Sequence, residues 1–160
     1  MISLDFLEKI DVFKDLDDDQ LTAVQECCQE TEFKRGNKLF GVKEDPICLW
    51  AVMEGTIDLE LDSPGSMPLQ EDIVSSVSEA EIFGWDSLVP PYKYRLSAYC
   101  ATRKCKVVKI DKGSLTRLFD EDADTGYKVM SRLLSVVGNR FHQLQEDVIK
   151  NKGQELMNRW

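Results

Sequence analysis

The strongest constraint on the fold is a change of hydrophobic period along the chain. From Glu32 to Asp111 apolar and polar residues alternate between glycines, as in short antiparallel strands. From Asp122 to Asn151 apolar residues instead recur every three or four positions, as on one face of a helix. The sequence therefore predicts an α+β fold in which a sheet region precedes a long helix, within one domain spanning 1–160.

The strand region contains several recognisable segments. In TIDLEL, Ile57, Leu59 and Leu61 alternate with polar residues, so we expect these three side chains to face the core. The preceding CLWAVMEG predicts its neighbour, joined to it by a turn at Glu54-Gly55. DIVSSVS predicts a further strand, and LSAYC with CKVVKI predicts a hairpin around ATRK. DSPGSMPLQED (62–72) is rich in Pro, Gly and Ser and predicts an exposed loop.

Helices are expected on both sides of the strands. In the N-terminal segment (1–31), Asp17 or Asp18 can cap a short amphipathic helix. SLTRLFDED opens the C-terminal helical segment (112–151), which we expect to end in a short tail (152–160).

The long C-terminal helix is expected to need a partner. About 28 residues would extend about 42 Å, which is longer than the core of a domain of this size can cover. We therefore expect a homodimer seam on this helix, with simple packing on the strand region as the alternative. The expected seam residues are Met130, Leu133, Val137, Phe141 and Leu144.

Composition excludes several classes of protein. A net charge of -9 disfavours a nucleic-acid partner, because affinity for phosphates comes mainly from Lys and Arg. No apolar run is long enough for a membrane span, and the N-terminus lacks the basic flank and apolar centre of a signal peptide. The five cysteines are odd in number and Cys27 adjoins Cys28, which favours reduced thiols in the cytoplasm over a disulfide framework.

Three segments, in this order, resemble the cyclic nucleotide-binding domain family. These segments are FKRGNKLFGVKED, LWAVMEGTIDLEL and IFGWDSLVPPYKYRLSAYC. The resemblance covers nearly the whole chain. Within the family, the chain is similar to the sensor domains of Crp/Fnr-type regulators. It implies an antiparallel β roll of the double-stranded β-helix or jelly-roll type, flanked by N-terminal helices and the long C-terminal helix. The chain ends about ten residues after that helix, so we expect no DNA-binding winged helix.

The third segment resembles the phosphate-binding cassette of this family (82–98 here). There, Phe-Gly-Glu precedes a short helix, and an Arg about ten residues after the Gly holds the cyclic phosphate. In this chain Trp85 replaces the Glu, and Arg95 is displaced by one position. The resemblance implies these ligand-binding residues: Phe83, Gly84, Trp85, Asp86, Ser87, Leu88, Tyr94, Arg95, Ser97 and Ala98.

Three functional hypotheses follow from the sequence. The first is a regulatory module that senses a cyclic nucleotide or a related small molecule in the β roll and transmits through the C-terminal helix. The second is a degenerate module that only dimerises or docks an unknown protein. The third is a redox or metal sensor, in which Cys100 and Cys105 face each other across the ATRK loop. An enzyme is not expected, because His142 is the only histidine and no catalytic group or metal cluster can be assembled around it; no cofactor is required.

Overall fold

The computed structural model describes residues 1–61 and 72–159. Its N-terminal part contains helix α1 (Leu4–Lys9), a 3₁₀ turn (Asp11–Phe13) and helix α2 (Asp18–Gln25). The predicted cap is present, because the Asp17 carboxylate accepts a hydrogen bond from the backbone N–H of Gln20. The Gln20 side chain accepts one from the Asp17 backbone in return, which completes a capping box.

Eight strands form two antiparallel four-stranded sheets. The first sheet has the order β1-β8-β3-β6 and the second has the order β2-β7-β4-β5. The predicted loop 62–72 lies outside the described residues except for its last position. The strands are β1 (Cys28–Lys34), β2 (Lys38–Phe40), β3 (Cys48–Glu54), β4 (Ile57–Glu60), β5 (Ile73–Val77), β6 (Ile82–Phe83), β7 (Ser97–Cys100) and β8 (Lys104–Asp111).

Two predicted strand pairings are wrong. β3 and β4 follow each other around Gly55 but lie in different sheets, and the same is true of β7 and β8 around the ATRK loop. Each turn is a corner at which the chain crosses between the sheets. The two corners pack together, since the Ala101 N–H donates to the Thr56 carbonyl at 2.9 Å. Gly55 has φ +88°, and a Cβ there would lie 2.6 Å from the Lys104 carbonyl oxygen, so the corner requires glycine.

The predicted inward position of Leu61 is also wrong. Ile57 and Leu59 are buried as expected, but Leu61 is exposed and Glu60 is buried instead. The pairing of β4 with β5 shifts register between Leu59 and Glu60. Such an irregularity reverses the side to which the following residues point, which alternation in the sequence does not reveal.

Both faces of β3 are buried, one in each of two hydrophobic clusters. Leu49 and Ala51 belong to the cluster between the first sheet and the helices, while Trp50 and Val52 belong to the cluster inside the roll. A strand covered on both sides reads as a continuous apolar run, as CLWAV does.

Two helices follow the strands. Helix α3 spans Lys112–Glu121 and α4 spans Ala123–Asn158, so the predicted tail continues the helix instead of ending it. The segment after Asn151 contains good helix formers, and Gly153 alone is not enough to stop a helix. Every side chain from Phe141 to Arg159 is exposed. No described helix is long and apolar enough to cross a membrane.

One residue of the predicted dimer seam lies in the core of its own chain. Leu133 is 2% exposed and packs in the cluster that the N-terminal helices share with the first sheet. Leu134, which follows it, is 74% exposed. Consecutive residues of a helix point about 100° apart, so Leu133 and Leu134 lie on different faces of α4. Because Leu133 is buried in its own chain, it is removed from the candidate seam.

We predict that Leu133→Ala destabilises the protein by about 2–5 kcal/mol, because it leaves a cavity in a closed core. Leu134→Ala is the matched control and should change the free energy of unfolding by less than about 0.5 kcal/mol. Urea unfolding followed by circular dichroism measures both changes. Equal losses in the two variants would contradict this placement of α4.

Cys100 and Cys105 form a disulfide across the corner between β7 and β8. Their Cα atoms lie 6.1 Å apart, within the usual range for such a bond. Cys27, Cys28 and Cys48 are free, and burial raises the pKa of the Cys28 thiol to about 12. The expectation that all five thiols are reduced is therefore corrected, whereas the expectation that Cys100 and Cys105 face each other is met. No group of three or more His, Cys, Asp and Glu side chains in the described ranges is arranged to hold a metal ion.

We predict that the denatured, unreduced protein takes up three alkyl groups per chain, one for each free cysteine. After reduction it should take up five, since the chain has five cysteines. Intact-mass spectrometry counts the added groups. Five groups without reduction would show that Cys100 and Cys105 are separate thiols.

Candidate functional site

A cavity of about 360 Å³ lies between the second sheet, the cassette segment (82–98) and α4. Its volume falls within the range of small-molecule sites, roughly 300–1,000 Å³. The roll contributes Phe40, Leu59, Val74, Ser75, Ser76 and Val77. The cassette segment and the residue before it contribute Glu81, Gly84, Trp85, Asp86, Arg95 and Leu96. Helix α4 contributes Arg140, Gln143, Leu144 and Asp147.

Gly84 allows the cassette segment to turn against the roll. It has φ +65°, and a Cβ there would lie 2.6 Å from Cδ1 of Trp50. Both the backbone conformation and the close approach of the indole therefore require glycine. The 3₁₀ turn Trp85–Ser87 follows directly, and the Ser87 hydroxyl donates to the Gly84 carbonyl at 3.1 Å.

The aromatic cluster (Phe40, Trp50, Phe83 and Tyr94) fills the roll beneath the cassette. The Tyr94 ring stacks on Phe40 with 3.8 Å between centroids and 9° between planes. The ring centroids of Trp50 and Phe83 lie 5.8 Å apart. Trp50 also donates its Nε1–H to the Tyr94 hydroxyl, with 3.4 Å between nitrogen and oxygen. Burial raises the pKa of Tyr94 to about 12, so it is a neutral phenol at physiological pH. Phe83 and Tyr94, both expected to contact a ligand, therefore pack inside the roll and do not line the cavity.

Three other predicted residues lie at the cavity, at its cassette side. Trp85 and Asp86 are half-buried, and Arg95 is exposed. Burial raises the pKa of the Asp86 carboxyl, whereas its own backbone N–H and the charge of Arg95 act in the opposite direction. Arg95 thus reaches the cavity despite its displaced position, but from the solvent side.

The remaining predicted residues support the cassette or the roll. Ser87 is buried, and Leu88 packs in the core shared with the helices. Ala98 is buried inside the roll. The hydroxyl of Ser97 is buried and has no hydrogen-bond partner among the described residues. Of the ten predicted ligand-binding residues, only four line the cavity: Gly84, Trp85, Asp86 and Arg95.

The wall that sequence reasoning missed is α4. Arg140 Nη2 donates to the Ile82 carbonyl at 2.6 Å, which joins the helix to the strand that leads into the cassette segment. Burial lowers the pKa of the Arg140 guanidinium. Gln143 donates to Asp147 at 3.2 Å on the same face of the helix. The cavity-lining residues of this face recur at helical spacing, as Arg140, Gln143 and Asp147 do. That spacing is visible in the sequence, but the sequence does not show which face of the helix meets the roll.

We predict that Gly84→Ala is more destabilising than Gly36→Ala. Both glycines have positive φ, so each substitution carries a backbone cost of about 1–2 kcal/mol. No atom of the residues described lies within 4 Å of a Cβ at Gly36. A Cβ at Gly84 also collides with Trp50, so Gly84→Ala should lose about 1–3 kcal/mol more of the free energy of unfolding. Chemical denaturation measures the difference. Equal losses would contradict the contact between Trp50 and Gly84.

No protein-family model matches the sequence, and no curated protein is similar to it. Solved structures are similar to it. A protein from Geobacter metallireducens, described as a cyclic nucleotide-binding protein, has 28% sequence identity and a TM-score of 0.76. The alignment covers 89% of this chain and 100% of that one. A cyclic nucleotide-binding domain from Methylobacillus flagellatus has 18% identity and a TM-score of 0.76, with 92% of this chain and 85% of that one covered.

A third similar structure is that of cAMP-bound PfPKA-R, with 19% identity and a TM-score of 0.70. The alignment covers 89% of this chain and 45% of that one. These comparisons confirm the predicted fold class: two antiparallel sheets form a β roll between N-terminal helices and a long C-terminal helix. They also confirm the resemblance to cyclic nucleotide-binding domains.

Proposed function

We propose that this chain, which has the fold of the cyclic nucleotide-binding domains, is a regulatory module that binds a small ligand in the cavity and transmits binding through α4. The observation that carries the proposal is that side chains of both the roll and α4 line one cavity. A ligand that contacts both walls must bind better when α4 lies against the roll. It therefore shifts any equilibrium between docked and undocked α4 towards the docked state.

Arg140 is the residue proposed to couple the cavity to the helix. Its guanidinium lines the cavity and donates to the Ile82 carbonyl. Ile82 lies two residues before Gly84, where the cassette segment turns. A displacement of either wall thus changes the geometry of one hydrogen bond.

A cyclic nucleotide or a related small molecule is the ligand class to test first. One similar structure, PfPKA-R, is described as cAMP-bound. A ligand at 100 times its dissociation constant adds about 2.7 kcal/mol of stability. For a domain of this length that amounts to a rise in melting temperature of about 5–11 °C. If no small molecule gives a saturable shift, the degenerate module that only dimerises or docks a partner is favoured.

We predict that Arg140→Gln uncouples α4 from ligand. A bound ligand should slow amide hydrogen exchange in α4 residues 140–158 of the wild-type chain, because it holds the helix against the roll. In Arg140→Gln that protection should fall by at least half at a ligand concentration that saturates the variant. Lys150→Gln, on the exposed part of the same helix, is the matched control. Unchanged protection in Arg140→Gln would assign coupling to other contacts.

A homodimer through α4 is the proposed output of the module. Met130, Leu134, Phe141 and Val148 are exposed and spaced by four, seven and seven residues, so they form one stripe. This stripe takes Leu134 in place of Leu133, and it leaves out Leu144 of the predicted seam, which lines the cavity. The stripe points about 100° away from the cavity-lining face of Arg140. The same helix can therefore contact the ligand on one face and a second copy of the chain on the adjacent face. Val137, half-buried between the two faces, remains beside the stripe.

We predict that the chain sediments as a dimer at micromolar concentration and that the double substitution Phe141→Glu with Val148→Glu gives a monomer. Two carboxylates facing their symmetry mates in an apolar seam are strongly unfavourable. His142→Glu, on another face of the same exposed segment, should leave the dimer intact. A monomeric wild-type chain would overturn this proposed output without affecting ligand binding.

A further inference from the structure

We propose that the cavity selects a neutral or cationic ligand with an apolar body and a hydrogen-bond donor directed at Asp86, and that it disfavours anions such as cyclic phosphates. The inference rests on the proposed function, since it specifies the ligand class of the same cavity. It follows from the walls, from the two guanidinium groups and from the carboxylate at the cassette turn.

The walls of the cavity are suited to an apolar body. Leu59, Val77 and Leu96 line it from the roll and the cassette segment, and Leu144 lines it from α4. The half-buried ring of Trp85 lines the same space. A planar group that enters between these side chains gains apolar burial and a stacking surface.

The two guanidinium groups at the cavity are poorly placed to hold an anion. Arg140 already donates to the Ile82 carbonyl, so an anion would have to compete with that hydrogen bond. Arg95 is exposed, where water and salt screen its charge. Tyr94, which precedes Arg95, points into the aromatic cluster inside the roll. The side chain that enters the roll at this position is therefore a phenol and not a cation.

Asp86 brings a half-buried carboxyl group to the cassette side of the cavity. It lies two residues after Gly84, in the 3₁₀ turn Trp85–Ser87. An anion in the cavity would therefore lie near a half-buried carboxylate, which disfavours it. Glu81 and Asp147 also line the cavity, but they are exposed, so water and salt screen their charges as they screen that of Arg95. A ligand ammonium or N–H group would instead form a charge-assisted hydrogen bond with Asp86.

Two matched pairs of probes test this inference. Tryptamine and indole-3-acetate share an indole ring and carry opposite charges, and adenosine and cAMP differ in the cyclic phosphate. Titrations followed by ¹H–¹⁵N NMR report on the amides of 84–86 and 140–147 and on the Trp85 indole N–H, and they detect weak binding at a defined site. We expect tryptamine to bind at least about tenfold more tightly than indole-3-acetate, and adenosine more tightly than cAMP, from the strength of charged hydrogen bonds.

The variant Asp86→Asn assigns the preference to one residue. It should weaken tryptamine binding by about tenfold and leave indole-3-acetate binding unchanged or improved. Asp120→Asn removes an exposed carboxylate on α3, away from the cavity lining, and should change neither affinity.

Each outcome separates the inference from the proposed function. Tighter binding of cAMP than of adenosine, or of indole-3-acetate than of tryptamine, overturns the ligand class and supports a ligand-binding module. Equal loss of tryptamine affinity in Asp86→Asn and Asp120→Asn overturns the role of Asp86. Absence of binding by all four probes overturns the ligand class, whereas the proposed function fails only if no small molecule gives a saturable rise in melting temperature.

Discussion

The contact of Trp50 with Gly84 and Tyr94 fixes the geometry on which the rest of the site depends. The indole lies against the Cα of Gly84, where a Cβ would be only 2.6 Å from Cδ1. Its Nε1–H reaches the Tyr94 hydroxyl, and Tyr94 stacks on Phe40. One buried side chain thus holds both the beginning and the end of the cassette turn. Of the intervening residues, Trp85 and Asp86 line the cavity, and their flanks cannot move independently.

Helix α4 depends on this arrangement from the other side. Near its start, Arg132 makes a bidentate contact with Asp15 at 2.8 and 2.9 Å, and Leu133 packs in the core. Further along, Arg140 contacts the Ile82 carbonyl, and beyond it the side chains are exposed. The described part of the helix therefore changes from a core element to a cavity wall and then to a free surface. A change in the cavity acts at the middle of these three regions, where Arg140 joins the helix to the Ile82 carbonyl.

The change of period predicted the elements well, but not how they meet. Alternation placed the strands and the three- and four-residue spacing placed the long helix, because both are local properties of the chain. The partners of β4 could not be read from its neighbour β3, since the corner at Gly55 moves the chain to the other sheet. The inward position of Leu61 failed for a similar reason, because the register shift after Leu59 is set by the partner strand. Leu133 and Leu134 are both leucines, and only the packing of α4 distinguishes core from surface. The family resemblance located the cassette segment. The α4 side of the cavity depends on which face of the helix packs against the roll, and the sequence does not show that face.

A single ligand is proposed to contact both the roll and α4. The most direct test of this proposal is an isotope-filtered nuclear Overhauser experiment on methyl-labelled protein saturated with the tightest-binding probe. We expect contacts from the ligand to the methyl groups of Leu59 and Val77 in the roll and also of Leu144 in α4, all of which line the cavity. Contacts to the roll alone, or to methyl groups outside the cavity, would contradict it.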